Sequence, residues 1–166
     1  MPRSTETIVI NTSPLIALIA AWGDLQPLEP LYDQVLVPFE VCQEILTGGP
    51  ANFGVLEFQQ TTWLKKQFAP LKISPLLLNS LDLGEASVIQ LAMDQGIHIV
   101  CIDEAVGRRV ARLSGLSLTG SVGILLKAKQ HNSVLSVKQA INNMQIRNIR
   151  LSQRVIDFAL KQSGEG

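Results

Sequence analysis

The chain has 166 residues, with 14 Lys/Arg balanced by 14 Asp/Glu, 46% hydrophobic residues and 17% charged residues. That length suits one domain with a sizeable core, and that composition excludes a disordered chain. No apolar run approaches the roughly 20 residues that cross a bilayer, which excludes a membrane span, and Met1–Thr7 with the short run Ile8-Val9-Ile10 has no signal-peptide pattern.

The elements read as follows in chain order. Glu6–Ile10 is a short β-branched run, expected as a buried strand. Asn11-Thr12-Ser13-Pro14 follows. Thr12 or Ser13 suits the cap of a helix over Leu15–Ala21, and Pro14 suits its first turn, where a missing N–H costs nothing. Gly23 ends that helix, and Leu25–Leu31 forms a second short one. Gln34–Val37 is strand two. Pro38 opens a helix over Phe39–Leu46, and Gly48-Gly49-Pro50 stops it. Residues 51–81 carry the weakest pattern, with a short strand at Trp63–Phe68. A helix over Gly84–Gln95 stops at Gly96. His98–Ile102 is near-continuously apolar, as a central parallel strand is. Glu104–Ser114 is a helix, Leu116–Leu118 a brief strand, and Val122–Gln130 another helix. Val137–Met144 and Gln153–Lys161 complete the set, and 162–166 is expected to fray.

Strands separated by helices require crossovers. The expected fold is therefore a three-layer α/β/α sandwich around a central parallel sheet, forming one domain over 1–166. Aromatic residues make up only 5% of the chain, so the core rests on Leu, Ile, Val and Ala, and few rings are left for base stacking. The distant cysteines Cys42 and Cys101 form no CxxC pair and read as ordinary thiols of a reduced, cytoplasmic protein.

Zero net charge hides an asymmetry. Residues 1–107 carry 4 Lys/Arg against 12 Asp/Glu, and residues 108–166 carry 10 against 2. The split fits an acidic site beside a basic surface, or two halves whose fields cancel when they mix in space.

Ligands of open parallel sheets bind outside the C-terminal strand ends. Asn11 follows strand one there, and Asp103 and Glu104 follow the HIVCI strand. Glu40 and Glu44 share a helix face. Glu85 opens a helix, where the dipole favours a carboxylate even without function. A cluster of such acids around Mg²⁺ or Mn²⁺ would polarise a phosphoryl oxygen and acidify an attacking water. The bland alternative gives each acid a local role: Glu85 a helix-start acid, Asp103 a cap, Glu44 a solvated side chain.

Other chemistries lack support. His98 and His131 form no ligand pair and read as a strand-start and a surface residue. No GxxxxGK[ST] or GxGxxG loop is present, and no Ser has a plausible His base.

Five segments in order resemble the PIN-domain family: Val9-Ile10-Asn11-Thr12-Ser13-Pro14-Leu15-Ile16; Val37-Pro38 with Val41 and Glu44; Leu81-Asp82-Leu83-Gly84-Glu85-Ala86; Ile102-Asp103-Glu104 with Arg108-Arg109; and Leu118-Thr119-Gly120-Ser121. The likeness covers most of the chain, least at 50–75 and past 150, and points to the VapC-like toxin ribonucleases. It implies a Mg²⁺- or Mn²⁺-dependent endoribonuclease whose ligands are Glu44, Glu85 and Asp103. It also implies an RNA substrate, a homodimer and a small antitoxin partner. Thr12, Ser13, Arg108, Arg112, Thr119 and Ser121 are the candidate substrate contacts.

One position departs from the pattern. The family's first site residue is an Asp, and here it is Asn11. Asn offers a carbonyl oxygen but no charge. Three readings stay open: a weakened nuclease, a non-catalytic RNA- or antitoxin-binding module, or an Asp exchanged to spare a host.

Overall fold

The computed structural model describes residues 5–48 and 52–166. Five strands form one all-parallel sheet in the order β3-β2-β1-β4-β5. They are β1 (Thr7–Ile10), β2 (Gln34–Val37), β3 (Lys65–Lys66), β4 (Ile99–Cys101) and β5 (Ser117–Thr119). The helices are α1 (Thr12–Trp22), α2 (Phe39–Thr47), α3 (Val55–Gln60), α4 (Pro75–Ser80), α5 (Leu83–Gln95), α6 (Ala105–Leu113), α7 (Ser121–His131), α8 (Val137–Ile146) and α9 (Gln153–Ser163), with a 3-10 turn at Gln26–Leu31.

β1 is the central strand. Ile8, Val9 and Ile10 pair with Ile99, Val100 and Cys101 on one side, while Thr7, Ile8 and Val9 pair with Gln34, Val35 and Leu36 on the other. Ile8, Val9 and Ile10 are fully buried, because helices cover both faces of a parallel sheet. α1, α7, α8 and α9 pack on one another in one layer, and α2 and α5 pack together in the other. The chain runs outward from β1 through β2 to β3, then crosses back to β4 and β5. The crossover direction therefore reverses between β1 and β4, and a doubly wound sheet opens its crevice at that point.

The structure has the expected three-layer α/β/α architecture. It departs from the sequence reading in several local ways. α1 begins at Thr12, so Asn11 holds the cap position instead of Thr12 or Ser13. The backbone causes this: Asn11 is extended at φ −86° and ψ 169°, while its carbonyl already accepts the Leu15 N–H. Pro27 and Pro30 turn the expected second helix into a 3-10 turn. The weak stretch contains the short helices α3 and α4, and its strand shrinks to two lysines at the sheet edge, a composition that discourages further pairing. Gly49 and Pro50 of the expected helix stop, and Met1–Ser4 of the polar start, lie outside the described residues.

The tail does not end as expected either. α9 runs to Ser163, and Glu165 is held at the start of α8. Cys42 and Cys101 are both free and buried. Among the described residues no helix is long and apolar enough to cross a membrane.

Candidate metal centre

The reversal point between β1 and β4 carries most of the predicted site. The Asn11 N–H donates to the Cys101 carbonyl (3.1 Å), fixing the exit of β1 against β4. In most helices a cap asparagine accepts an N–H of the first turn through its side chain. Asn11 makes no such bond. Its Oδ1 is buried and accepts nothing, although Asn11 is only 4% exposed. Thr12 Oγ1 beside it is also buried without a partner.

α5 brings the next acids. Asp82 caps it by accepting the Glu85 N–H (2.8 Å). Glu85, in the first turn, is 4% exposed, and its Oε2 has no hydrogen-bond partner. Gly84 leaves an opening between these side chains. A Cβ there would lie 3.1 Å from Asn11 Oδ1, 3.3 Å from Glu44 Oε2 and 3.6 Å from Asp82 Oδ1. α2 thus delivers Glu44 to the same spot, although the rest of that side chain is exposed. Glu40, one turn earlier on α2, has a different role: its Oε2 accepts the Leu71 N–H (2.8 Å) and anchors the segment before α4.

α6 closes the group. Glu104 occupies its cap position without bonding a helix N–H. Ligand oxygens of Asp82, Glu85 and Glu104 all lie within 4.8 Å of one another. Burial, then the charges of Asp82 and Glu104, push the Glu85 carboxyl up to about 7. Among the described residues the ion pairs join Lys127 to Glu6 and Lys129 to Glu165, so neither neutralises this group.

Asp103 faces another way. Its Oδ1 accepts the Ser121 N–H (2.7 Å) at the entrance of α7, beside Gly120 and Arg108. Arg108 Nη1 donates to the carbonyls of Ile102 (2.8 Å) and Thr119 (3.2 Å). Asp103, Glu104, Arg108, Ser13, Thr119 and Ser121 border one groove of about 880 Å³, whose far wall includes Arg150 and Phe158. That volume lies within the range of ligand pockets. Arg112, expected as a substrate contact together with Arg108, is exposed and is not part of that groove. His98 and His131 stand before β4 and at the end of α7, away from the acids.

The predicted set therefore divides. Asn11 and Glu44 meet Asp82 beside Gly84, Glu85 clusters with Asp82 and Glu104, and Asp103 borders the adjoining groove. Sequence reasoning did not place Asp82 in the site, and it put Glu104 on the rim after β4 without making it a ligand. The signal for Asp82 was the pattern Asp82-x-x-Glu85, in which a cap acid sets the next acid on its first turn. Glu104 was legible only as a neighbour of Asp103.

The donor set suits a hard divalent cation. It consists of carboxylate and amide oxygens, two of them buried and unpartnered, and it carries uncompensated negative charge. Fold and rim together define a doubly wound α/β domain of nuclease-like type with an acidic cluster at its switch point. A PIN-domain family model matches residues 7–165, and the chain belongs to the PIN-domain family. PIN nucleases generally use divalent metals, which agrees with the cluster. No curated protein matches the chain.

Proposed function

We propose that this protein is a metal-dependent endoribonuclease of the toxin type, hydrolysing RNA phosphodiester bonds with Mg²⁺ or Mn²⁺. One observation carries the reading: Asn11 Oδ1 and Glu85 Oε2 are buried without partners beside a cluster of acids. Orphaned buried oxygens are costly, and a bound cation offsets that cost. Asn11, Glu44 and Glu85 would hold the ion, with Asp103 at the adjoining rim. The cation supplies Lewis-acid polarisation of a phosphoryl oxygen and lowers the pKa of the attacking water.

The remaining work falls to the groove. Ser13, Thr119 and Ser121 hydroxyls orient phosphate oxygens along it, and Thr12, whose buried hydroxyl has no partner, follows Asn11 directly. Arg108 in the groove, and Arg112 exposed outside it, bring positive charge to the RNA backbone, which binds chiefly through phosphate contacts. Excess positive charge after residue 107 favours the same substrate class. The family further suggests a homodimer working in the cytoplasm, held in check by a small antitoxin.

Asn11 favours a second reading. With one anionic ligand missing, the protein would bind RNA or an antitoxin without cutting. Incubating mixed RNA with purified protein and Mn²⁺ separates the two. Cleavage that rises in Asn11→Asp supports the nuclease. Intact RNA with both proteins, alongside measurable RNA binding, selects the binding module.

A further inference from the structure

α9 and the turn before it build a wall of the groove that the metal chemistry leaves unused. Asn148 starts that wall. At φ 62° it ends α8 in the left-handed conformation that asparagine tolerates, and the Ile149 N–H returns to the Met144 carbonyl (3.1 Å). The chain turns there, and Ile149, Arg150, Leu151 and Ser152 line the groove before α9 begins at Gln153. α9 then shows two apolar faces. Ile156 and Ala159 are buried in the core, whereas Val155 and Phe158, three residues apart, line the groove. Phe158 is 55% exposed.

We propose that this wall binds an unpaired nucleotide of the RNA, with Phe158 stacking on its base and Arg150 contacting an adjacent phosphate. The inference rests on the RNA-directed reading above and makes the substrate single-stranded.

A half-exposed ring forgoes part of the free energy of burial, which a base stacked on it recovers. Among the described residues the exposed aromatics are Phe68 and Phe158, and Phe68 follows β3 at the opposite edge of the sheet. A chain with few rings thus exposes one of them in the groove beside its acids. Charge then favours a nucleic acid over an apolar segment of protein. Arg108 and Arg150 both line the groove, and neither joins an ion pair among the described residues. Asp103 and Glu104 line it too, and their charge turns free phosphates toward the arginines. An apolar segment would cover Phe158 and leave both guanidinium groups without a counter-charge, whereas a nucleotide uses ring and charge together. A duplex keeps its bases stacked on one another and offers Phe158 no free face. The groove, about 880 Å³, is on the scale of small-ligand pockets, which also suits unpaired nucleotides.

The test is fluorescence anisotropy of a short labelled RNA strand of mixed sequence with the full chain, in EDTA to prevent cleavage. The same strand is also presented in a duplex and with abasic sites, and circular dichroism confirms that each variant is folded. Wild type should bind the single strand about fivefold or more tightly than the duplex or the abasic strand. Phe158→Leu keeps an apolar side chain and removes the ring. It should weaken the single strand about fivefold or more and leave the abasic strand unchanged, while Phe158→Trp keeps wild-type affinity. Arg150→Ala should weaken single and abasic strands alike and reduce the slope of log K against log salt by about 1. Wild-type affinity of Phe158→Leu for the single strand overturns the inference, leaves the RNA reading standing and gives the apolar wall to a protein partner. An equal loss on the abasic strand makes Phe158 a packing residue and overturns it as well. A duplex bound as tightly as the single strand overturns the single-stranded assignment, and an unchanged slope in Arg150→Ala overturns the phosphate contact. Wild type that binds none of the three probes overturns the RNA reading itself.

Discussion

Gly107 on α6 lies directly against Glu85 on α5: a Cβ at Gly107 would stand 2.5 Å from Glu85 Oε2 and 2.9 Å from Ile102 Cγ2. The buried carboxylate keeps its position because α6 presents no side chain there. Gly107→Ala must push Glu85 or shift α6. Overpacking costs about 1–3 kcal/mol, and the better helix propensity of Ala returns about 1 kcal/mol. The expected result is a small loss in thermal stability with a loss of Mn²⁺ binding near tenfold. Unchanged Mn²⁺ affinity in a folded Gly107→Ala protein would show that the Glu85 position is not set by this contact.

Glu85 also makes stability depend on pH. Burial first, then Asp82 and Glu104, raise its carboxyl from 4.5 to about 7. The folded state therefore holds this proton more tightly than the unfolded chain does. Its stabilising contribution is complete below pH 4.5 and is lost as pH rises through about 7. Metal-free protein should melt at progressively lower temperature across that window. Glu85→Gln should flatten the profile, and saturating Mg²⁺ should reverse it at the alkaline end, where the cation no longer competes with a proton. Calorimetric melts in chelator and in Mg²⁺ measure all three. A metal-free melting temperature that rises over this window would contradict the assignment.

Much of this architecture was legible because its signals are local. ETIVI and HIVCI are apolar enough to be central parallel strands, and Gln34–Val37 matches β2 residue for residue. Knowing those ends placed Asn11 and Asp103 on one rim. α3 and α4 were illegible because six residues carry too little helical period, although Pro75 sits at the start of α4. Glu104 was placed on the rim but not made a ligand, for a different reason. Whether an acid caps its helix or leaves its carboxylate for a neighbour is decided by packing, here by how α6 crosses α5. Asp103 shows the converse. Its sequence position is right for the rim, but its Oδ1 is engaged by the Ser121 N–H.

Arg108 couples the groove to the sheet. Through Nη1 it ties the carbonyl after β4 to that of the last β5 residue. Hydrogen bonds to a charged group contribute about 1.5–3 kcal/mol, so Arg108→Ala should lower stability by roughly that amount. Arg108→Lys should recover part of it, because a single ammonium lacks the planar fork. If Arg108 also meets phosphate, RNA affinity should fall in Arg108→Ala, and the slope of log K against log salt should shrink by about 1. Fluorescence anisotropy with labelled RNA at several salt concentrations reads the slope. A destabilised protein with an unchanged slope would restrict Arg108 to its structural role.

Glu165, next to the last residue, anchors the end of the chain to α8. Its carboxylate accepts from Ser136 Oγ (2.7 Å), the Val137 N–H (2.7 Å) and the Lys138 N–H (3.2 Å), with Lys129 Nζ at 3.7 Å. It thereby serves the first N–H groups of α8, while Ser136 Oγ accepts the Gln139 N–H. Slight burial pulls the Glu165 carboxyl upward, but these hydrogen bonds and the Lys129 charge outweigh it and hold it below its ordinary value. A depressed carboxylate contributes stability above its unfolded pKa and loses it as pH falls through the lower folded value. Glu165→Gln should therefore cost about 1 kcal/mol at neutral pH, the usual worth of a lost helix cap, and nothing once the wild-type carboxyl is protonated. Lys129→Met keeps the three hydrogen bonds to Glu165 but also loses the bond from Lys129 Nζ to the Leu135 carbonyl (2.7 Å), so its cost is expected to vary little with pH, a partly exposed ion pair contributing little. Melting curves from neutral to strongly acidic pH should bring wild type and Glu165→Gln together at the acid end. A gap between wild type and Glu165→Gln that persists in acid would assign the effect to packing and not to charge.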